Sequence, residues 1–241
     1  MGLTVKNLVS GYNNFNVIKD ISFEVASGEL VALIGLNGAG KSTTIKNIMG
    51  LLPLASGDIT VAEISIKSDI ENYRKKIGYI PETPAEYKEL TLKEHIEITA
   101  MAYDIDQTVA FERASKLLKT FRLEDKLDWM VKNFSKGMKQ KVMLVCAFLA
   151  DVDCYIVDEP FLGLDPLAIQ ALLDIFVELK NDGKAILMST HILATAERYC
   201  DRFVILHEGV IIADGTIEEL RVKFEMPSAS LDEIYLSLTR I

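Results

Sequence analysis

The feature that most constrains this chain is a glycine-rich run, Gly35-Leu36-Asn37-Gly38-Ala39-Gly40-Lys41-Ser42, which satisfies the pattern G-x-x-x-x-G-K-S/T at every fixed position. It follows an apolar, β-branched segment, Leu30–Ile34, and it precedes a stretch from Lys41 to Leu52 whose apolar residues recur at helical spacing. A strand, a glycine-rich loop and a helix in that order are the context in which the pattern binds phosphate. That context disfavours a chance glycine turn.

The residue types in this run, which we call the phosphate loop, fit the phosphates of a nucleotide. Glycines let backbone N–H groups wrap phosphate oxygens. Lys41 supplies positive charge for the β- and γ-phosphates, and Ser42 offers a hydroxyl to Mg²⁺. The N-terminus of the following helix adds partial positive charge. The loop therefore predicts a nucleotide-binding protein.

Two carboxylates end a second apolar segment. Cys154–Val157 reads as a buried strand, and Asp158 and Glu159 follow it. Ligands of open α/β sheets bind at the carboxyl ends of the strands. Asp158 can hold Mg²⁺ through water, and Glu159 can polarise an attacking water. Alone, the pair is equally consistent with a solvated turn; beside the phosphate loop it predicts nucleotide hydrolysis.

The composition excludes several classes of protein. The 241 residues include 26 Lys and Arg against 35 Asp and Glu, which gives a net charge of −9. Such a chain is a poor candidate for a nucleic-acid binder held by phosphate contacts or for unaided binding to anionic lipid. The longest strongly apolar run, Val142–Ala150, is well short of the ~20 residues that span a bilayer.

No secretory signal is recognisable at the N-terminus. The three cysteines, Cys146, Cys154 and Cys200, lack a CxxC spacing, so we expect them to be buried thiols in a reducing compartment.

The pattern of apolar residues predicts an α/β fold. Short β-branched runs within the first 62 residues indicate antiparallel strands, and residues 84–131 carry helical spacing instead. The last third alternates apolar strands with helices, which is typical of a parallel sheet covered on both faces. We expect a mixed, largely parallel core sheet with an N-terminal antiparallel β lobe in residues 1–84 and 151–225. The predicted insertion at 85–150 is an α-helical lobe, and 226–241 forms a C-terminal helical tail.

Further motifs bring in a family resemblance. Phe134-Ser135-Lys136-Gly137-Met138-Lys139-Gln140-Lys141 opens a helix upstream of Asp158, and it resembles the signature motif of ABC-type ATPases, usually Leu-Ser-Gly-Gly-Gln. Leu164-Asp165 resembles their D-loop, and Ser189-Thr190-His191 resembles the segment that carries their switch histidine. The motifs occur in the order and spacing of the family across nearly the whole chain. The resemblance implies a P-loop NTPase fold of ABC type that binds ATP and Mg²⁺.

The resemblance also implies roles for individual residues. Glu159 is the expected catalytic base, and His191 is the expected contact to the γ-phosphate. Ser42, Glu82 and Asp158 are the expected metal-proximal residues. The residues implicated in ATP binding are Tyr12, which would stack on adenine, Val17, the phosphate loop, Thr43, Glu82 and Asp165, together with Ser135 and Gly137 of the signature from a second subunit.

Structural alternatives remain for several of these residues. His191 could be an ordinary histidine, Tyr12 could be packing at a strand end, and Ser135 could act only as a helix N-cap. Two departures from the family also stand out. Glu82 occupies the place of the usual Gln, which adds negative charge near the γ-phosphate, and Lys136-Gly137-Met138 replaces Gly-Gly-Gln. We expect Glu82 to remain a metal-proximal switch residue.

Four stretches are most similar to the ATPase subunit of bacterial Ecs-type ABC exporters: Tyr79–Pro84, Phe134–Lys141, Asp158–Asp165 and Ser189–Tyr199. The resemblance implies two copies that sandwich two ATP molecules and power a separate transmembrane subunit, docked near Pro84–Glu94. It places the chain in the cytoplasm, peripheral to the inner face of the cell membrane. Direct membrane insertion and a nucleic-acid partner are not expected.

Three other functions compete with transport. A soluble ABC ATPase could act on DNA, ribosomes or iron–sulfur assembly, although no coiled-coil insertion, second cassette or basic surface is recognisable. A non-hydrolysing regulatory module is the second alternative, against which Asp158, Glu159 and His191 argue. A P-loop kinase or GTPase is disfavoured because neither explains the signature helix. The cargo is not encoded in any of these motifs.

Overall fold

The computed structural model describes residues 2–13 and 15–239. Strands and helices alternate along most of the chain, and the helices between Thr91 and Ala150 interrupt that alternation. The strands are β1 (Leu3–Tyr12), β2 (Phe15–Val25), β3 (Leu30–Ile34), β4 (Ser56–Val61), β5 (Ile64–Ser65), β6 (Ile77–Ile80), β7 (Cys154–Asp158), β8 (Ala185–Ser189), β9 (Arg202–His207) and β10 (Val210–Gly215). The α-helices are α1 (Lys41–Ile48), α2 (Ile70–Arg74), α3 (Leu92–Ala102), α4 (Gln107–Phe121), α5 (Lys136–Leu149), α6 (Pro166–Asn181), α7 (Leu193–Tyr199), α8 (Ile217–Lys223) and α9 (Leu231–Thr239).

The main sheet has the order β10-β9-β3-β8-β7-β6. Neighbouring strands from β9 to β6 pair in parallel, and only the edge pair β10–β9 is antiparallel. Every residue of β3, β7 and β8 is buried, as the unbroken apolar runs predicted. The carboxyl ends of these three central strands meet at one edge, which brings the phosphate loop close to Asp158 and Ser189.

A second, antiparallel sheet confirms the predicted β lobe. Its order is β2-β1-β4-β5. Apolar residues of this sheet and of β3 enclose helix α1, whose Ile45 and Ile48 are fully buried between them. The phosphate loop is thus anchored at both ends, by a central strand and by a buried helix.

The inserted helical lobe is also confirmed. Helices α3, α4 and α5 share one apolar core with α6 and with one face of the main sheet. Thr91 caps α3 and Asp106 caps α4 through side-chain oxygens that accept backbone N–H bonds. Helix α5, which carries the signature residues, contacts both α3 and α4 and so belongs to this lobe.

The helix that follows the phosphate loop is shorter than the sequence predicts. The predicted helix runs from Lys41 to Leu52, whereas α1 ends at Ile48. Gly50 adopts a left-handed backbone with φ of +64°, and this conformation ends the helix before Pro53 is reached. The tail does contain the predicted short helix, α9, whose first turn is held by reciprocal hydrogen bonds between Ser230 and Glu233.

No helix within residues 2–13 and 15–239 is long and apolar enough to cross a lipid bilayer.

Candidate functional site

The phosphate loop joins β3 to α1 in a conformation that requires glycine. Gly38 and Gly40 have φ values of +86° and +111°, which L side chains rarely adopt. At Gly40 a Cβ atom would also lie 2.5 Å from Ile18 Cδ1. Lys41 Nζ donates a hydrogen bond to Gly35 O at 2.7 Å, so the lysine closes the loop on itself. The free N–H groups at the start of α1 add to this positive end of the helix.

A cavity of about 640 Å³ opens beside the loop, and we call it the phosphate-loop cavity. It lies at the carboxyl edge of the main sheet, where ligands of open α/β sheets bind. The structure brings nine of the predicted site residues to its walls: Gly35, Leu36, Asn37, Lys41, Ser42, Glu82, Asp158, Glu159 and His191.

A smaller cavity of about 180 Å³ lies on another side of the same loop. Val17, Gly38, Gly40 and Thr43 line it together with loop residues shared with the larger cavity. Ala39, the remaining residue of the phosphate loop, is buried.

Asp158 is held by a residue of the neighbouring strand. Ser189 Oγ donates a hydrogen bond to Asp158 Oδ1 at 2.5 Å, and both residues are buried. Burial raises the pKa of Asp158 above its ordinary value, and the Ser189 hydrogen bond opposes that rise. The negative charges of Glu82 and Glu159 raise the pKa further, whereas the positive charge of Lys41 lowers it. The carboxylates therefore crowd this end of the cavity with negative charge.

Glu159 and His191 form a second pair. His191 Nδ1 and Glu159 Oε2 are 2.7 Å apart, and the His191 backbone N–H also points to this oxygen at 3.3 Å. The Glu159 side chain is only 15% exposed, whereas His191 is 67% exposed. Glu159 has a positive φ of +46°, and its N–H is bonded to Ser189. The carboxylate is consequently fixed in orientation and faces the cavity beside Lys41.

The residues of the signature motif lie elsewhere. Ser135 caps α5 by accepting the N–H of Met138 at 3.3 Å, so the N-cap interpretation holds. Gly137 lies against the backbone of Gly163, where a Cβ atom would come within 2.5 Å of Gly163 O. Neither Ser135 nor Gly137 lines the phosphate-loop cavity of its own chain.

Asp165 also lies outside that cavity. Its carboxylate caps α6 by accepting the N–H of Ala168 at 2.9 Å, and Lys141 Nζ contacts it at 2.8 Å. The hydrogen bond from Lys141 holds the pKa of Asp165 below its usual value. The signature helix α5 is thereby tied to the segment that follows Glu159.

Tyr12 lies at the end of β1 and is 42% exposed. Lys46 Nζ lies 5.9 Å from the centre of its ring. The ring is thus available to a ligand near the phosphate loop, although it does not line the larger cavity.

Ser189 and Tyr235 are among the residues near the cavity to which the sequence assigned no role. Ser189 ends an apolar strand in register with Asp158, so the alignment of neighbouring strand ends could have indicated it. Tyr235, from the tail helix α9, also lines the phosphate-loop cavity. Nothing in the sequence around Tyr235 signals that position.

The chain is similar to known proteins over its full length. A family model described as ABC transporter matches residues 18–162. The ABC-type transporter ATP-binding protein EcsA of Bacillus subtilis (strain 168) is 55% identical over 238 residues, which cover 99% of this chain and 96% of that protein. The SkfA peptide export ATP-binding protein SkfE of the same organism is 37% identical over 223 residues, 92% of each chain. A solved ATP-binding subunit of an ABC transporter superposes with a TM-score of 0.97 at 55% identity and covers all of both chains.

These likenesses agree with the fold and with the cavity beside the phosphate loop. They confirm the family, the fold class and the ATPase activity that the sequence motifs predicted. The matching family model is described as ABC transporter, and the EcsA relative is described as the ATP-binding protein of an ABC-type transporter. The chain therefore belongs to the ABC transporter family, as an ATP-binding and ATP-hydrolysing subunit.

Proposed function

We propose that ATP occupies the phosphate-loop cavity and that Glu159 acts there as the general base. The observation that carries this proposal is the 2.7 Å contact between Glu159 Oε2 and His191 Nδ1, on the wall of the cavity that also contains Lys41. The loop N–H groups and Lys41 bind the phosphates, and Glu159 accepts a proton from the attacking water. His191 orients the carboxylate and contacts the γ-phosphate.

The same cavity suits Mg²⁺, with Ser42, Asp158 and Glu82 as the residues that would hold it. Within the described part of the chain, no group of three or more His, Cys, Asp or Glu side chains could hold a metal unaided. Phosphate oxygens of ATP would supply the missing ligands, since magnesium usually binds through one or two carboxylates together with substrate phosphates. The ion would neutralise charge on the phosphates and on Asp158, whose pKa burial and the neighbouring carboxylates raise.

Tyr12 and Val17 are the proposed contacts to the nucleoside. The half-exposed ring of Tyr12 offers a flat face for adenine, and Val17 lines the smaller cavity beside Thr43. Stacking of an aromatic ring on a base contributes about 1–3 kcal/mol.

Two copies of the chain are proposed to enclose the nucleotides. Ser135, Gly137 and Asp165 lie away from their own phosphate-loop cavity, so they are free to contact the ATP bound to the second copy. The N-terminus of α5, where Ser135 is the cap, suits a γ-phosphate because helix N-termini attract anions. Each ATP is then held between one phosphate loop and the partner's signature residues.

We further propose that the chain powers export by a membrane subunit at the inner face of the cell membrane. SkfE, a relative at 37% identity, is named for peptide export, which supports this direction. The helical lobe, proposed as residues 85–150, contains the signature helix α5 and all of the docking segment Pro84–Glu94 except Pro84 itself. Lys139 Nζ contacts Glu86 Oε1 at 2.8 Å, which links these two parts of the lobe. The other two parts of the proposed domain organisation are the core, residues 1–84 and 151–225, and the C-terminal tail, residues 226–241.

The test is affinity purification of tagged Glu159→Gln from native membranes with ATP. This variant should bind ATP and stall before hydrolysis, which keeps the closed complex populated. Lys41→Ala is the matched control, because it removes the positive charge that binds the phosphates. We expect a polytopic membrane protein at near-equal stoichiometry with Glu159→Gln and much less with Lys41→Ala. Only soluble partners, such as ribosomes or DNA-bound proteins, would overturn transport and favour a soluble ABC ATPase.

A further inference from the structure

The docking segment Pro84–Glu94 is bonded through its backbone to a second stretch of the helical lobe, residues 127–131. Within this pairing, Leu92 N–H donates to Trp129 O at 3.1 Å. The two stretches present aromatic side chains to solvent, since Tyr87 is 61% exposed and Trp129 is 50% exposed. Tyrosine and tryptophan are enriched at protein interfaces, so this surface suits contact with another protein.

The side chain of His95, on α3, bonds to the docking segment through both of its ring nitrogens. Tyr87 N–H donates to Nε2 at 3.1 Å, so Nε2 supplies a lone pair and the ring proton is on Nδ1. Nδ1 lies 2.8 Å from Thr91 O and donates to it. His95 is only 4% exposed, and its ring centre lies 5.9 Å from that of Tyr87. A buried imidazole thus holds the backbone of an exposed tyrosine.

The two hydrogen bonds of the imidazole differ in what depends on them. Thr91 O also accepts the backbone N–H of His95 at 3.1 Å, so it keeps a donor without the ring. Thr91 is further anchored by Glu94, whose carboxylate accepts the Thr91 N–H at 2.7 Å in a capping box. The start of α3 is therefore secured by other bonds. The bond to Nε2, by contrast, fixes Tyr87 in the loop that precedes the helix.

We propose that His95 is a positioning residue for docking, whose Nε2 holds the backbone of Tyr87 so that the exposed ring is presented to the membrane subunit. This inference rests on the proposed function, because it takes the membrane subunit as the occupant of the docking segment. A loop that is already ordered loses less conformational entropy when a partner binds. The ring of Tyr87 suits such a contact, since it offers an apolar face and a polar hydroxyl.

Two substitutions of His95 separate the hydrogen-bond acceptor from the bulk of the side chain. In His95→Leu, leucine fills the buried site and offers no acceptor. In His95→Gln, the side-chain amide oxygen can still accept the Tyr87 N–H. Tyr103→Phe is the structural control, because it removes a bond from the Tyr103 hydroxyl to Ile77 O at 2.7 Å and keeps both bonds of the His95 ring. Tyr87→Ala removes the proposed contact itself from an exposed position.

Docking is measured with membrane vesicles from native-host cells that lack this chain, titrated with the purified chain. We expect His95→Leu to raise the apparent dissociation constant by about threefold to tenfold, since one net hydrogen bond has an effect of that order on an equilibrium. Tyr87→Ala should raise it by about tenfold, as truncation of an interface aromatic commonly does. Without vesicles, amide hydrogen exchange at residues 85–90 should be faster in His95→Leu. His95→Gln and Tyr103→Phe should match the wild type in both measurements, although Tyr103→Phe should melt at a lower temperature.

Wild-type vesicle binding by His95→Leu would overturn the inference. Equal weakening in His95→Leu and Tyr103→Phe would also overturn it, as would failure of His95→Gln to restore binding, because His95 would then act only through the stability of the lobe. Tyr87→Ala alters an exposed side chain and should fold even if His95→Leu does not, and wild-type binding by this variant would overturn the proposed contact.

Failure of the inference is distinguishable from failure of the proposed function. If the wild-type chain binds the vesicles and His95→Leu binds them equally well, only the role of His95 is wrong. If the wild-type chain does not bind the vesicles at all, the proposed transport function is itself wrong.

Discussion

Ser189 Oγ donates a 2.5 Å hydrogen bond to Asp158 Oδ1, and the two residues stand opposite each other in the register of β7 and β8. The same hydroxyl lies 3.2 Å from the backbone N–H of Glu159. One side chain therefore supports both residues of the acidic pair. Because Asp158 is buried, this support bears on stability as well as on catalysis.

Ser189→Ala should destabilise the protein and slow ATP hydrolysis. The substitution removes the donor that stabilises a buried carboxylate, and such a loss costs about 1–3 kcal/mol. The pKa of Asp158 should rise further, since the hydrogen bond is what opposes the effect of burial. Urea denaturation and steady-state ATPase rates measure the two effects. Ser115→Ala alters an exposed side chain of α4 and serves as the control, which should change neither the stability nor the ATPase rate. A Ser189→Ala protein with wild-type stability would contradict the prediction.

Glu82→Gln should stabilise the nucleotide-free protein at neutral pH. Burial raises the pKa of Asp158 first, and the charges of Glu82 and Glu159 add to that rise. A carboxyl with a raised folded-state pKa favours the folded state at low pH, and that contribution is lost as the pH rises through the folded-state value. Removing the negative charge of Glu82 makes the pKa of Asp158 rise less, so less folding stability is lost at neutral pH. The melting temperature of Glu82→Gln at pH 7.5 without Mg²⁺ should therefore be higher than that of the wild type.

The same substitution should weaken the response to magnesium if Glu82 is metal-proximal. We expect the Mg²⁺ concentration for half-maximal ATPase activity to increase in Glu82→Gln. Glu112→Gln removes a charge from an exposed position on α4 and should leave both measurements unchanged. An unaltered magnesium response in Glu82→Gln would show that Glu82 is not a metal-proximal residue.

The sequence predicted most of the site because its parts lie on consecutive strand ends. The phosphate loop, Glu159 and His191 come after buried strands, and Asp158 is the last residue of such a strand. Parallel pairing of these strands then brings the residues to one edge of the sheet. Ser135 lies outside its own cavity, which agrees with the family resemblance that assigns the signature residues to the second copy. Ser135 and Asp165 both serve as N-caps, a role that local sequence can indicate.

Other features depend on packing between distant parts of the chain. Tyr235 lines the phosphate-loop cavity because α9 packs on α7 and β3, and no spacing rule connects a C-terminal helix to a loop near the N-terminus. The end of α1 depends on a single left-handed residue, Gly50, within a stretch whose apolar spacing continues to Leu52. Periodicity identifies the buried face of a helix better than it identifies the residue where the helix ends.

Gly137→Ala should destabilise the protein by about 1–3 kcal/mol, the usual cost of overpacking. In an exposed helix the change would be favourable by about 1 kcal/mol, because alanine has the higher helix propensity. Here a Cβ atom would lie 2.5 Å from Gly163 O, and neither backbone can yield without shifting α5 or the segment before Asp165.

Urea denaturation measures the effect of Gly137→Ala, with the exposed neighbour Lys136→Ala as the control. Binding of an ATP analogue to the isolated subunit should be nearly unchanged, since Gly137 does not line the cavity of its own chain. A stabilised Gly137→Ala protein would mean that α5 and Gly163 separate readily.

The three thiols should be almost inert in the folded protein. Cys154 is buried as expected, whereas Cys146 and Cys200 are only partly buried, which corrects the expectation of three buried thiols. Desolvation by the surrounding protein nevertheless raises the pKa of Cys146 to about 11 and that of Cys154 to about 12, and it raises the pKa of Cys200 as well. At pH 8 about one Cys146 side chain in a thousand is then the reactive thiolate, and still fewer of the others are. With a chromogenic disulfide reagent, we expect the native protein to react slowly and the protein in urea to release three equivalents of the chromophore rapidly.

A Ser115→Cys variant is the control, because it places a fourth thiol on the exposed face of α4 and should release one equivalent of the chromophore at once. Because that variant reports an accessible cysteine in the same fold, rapid reaction of the unaltered protein would mean that at least one native thiol opens to solvent.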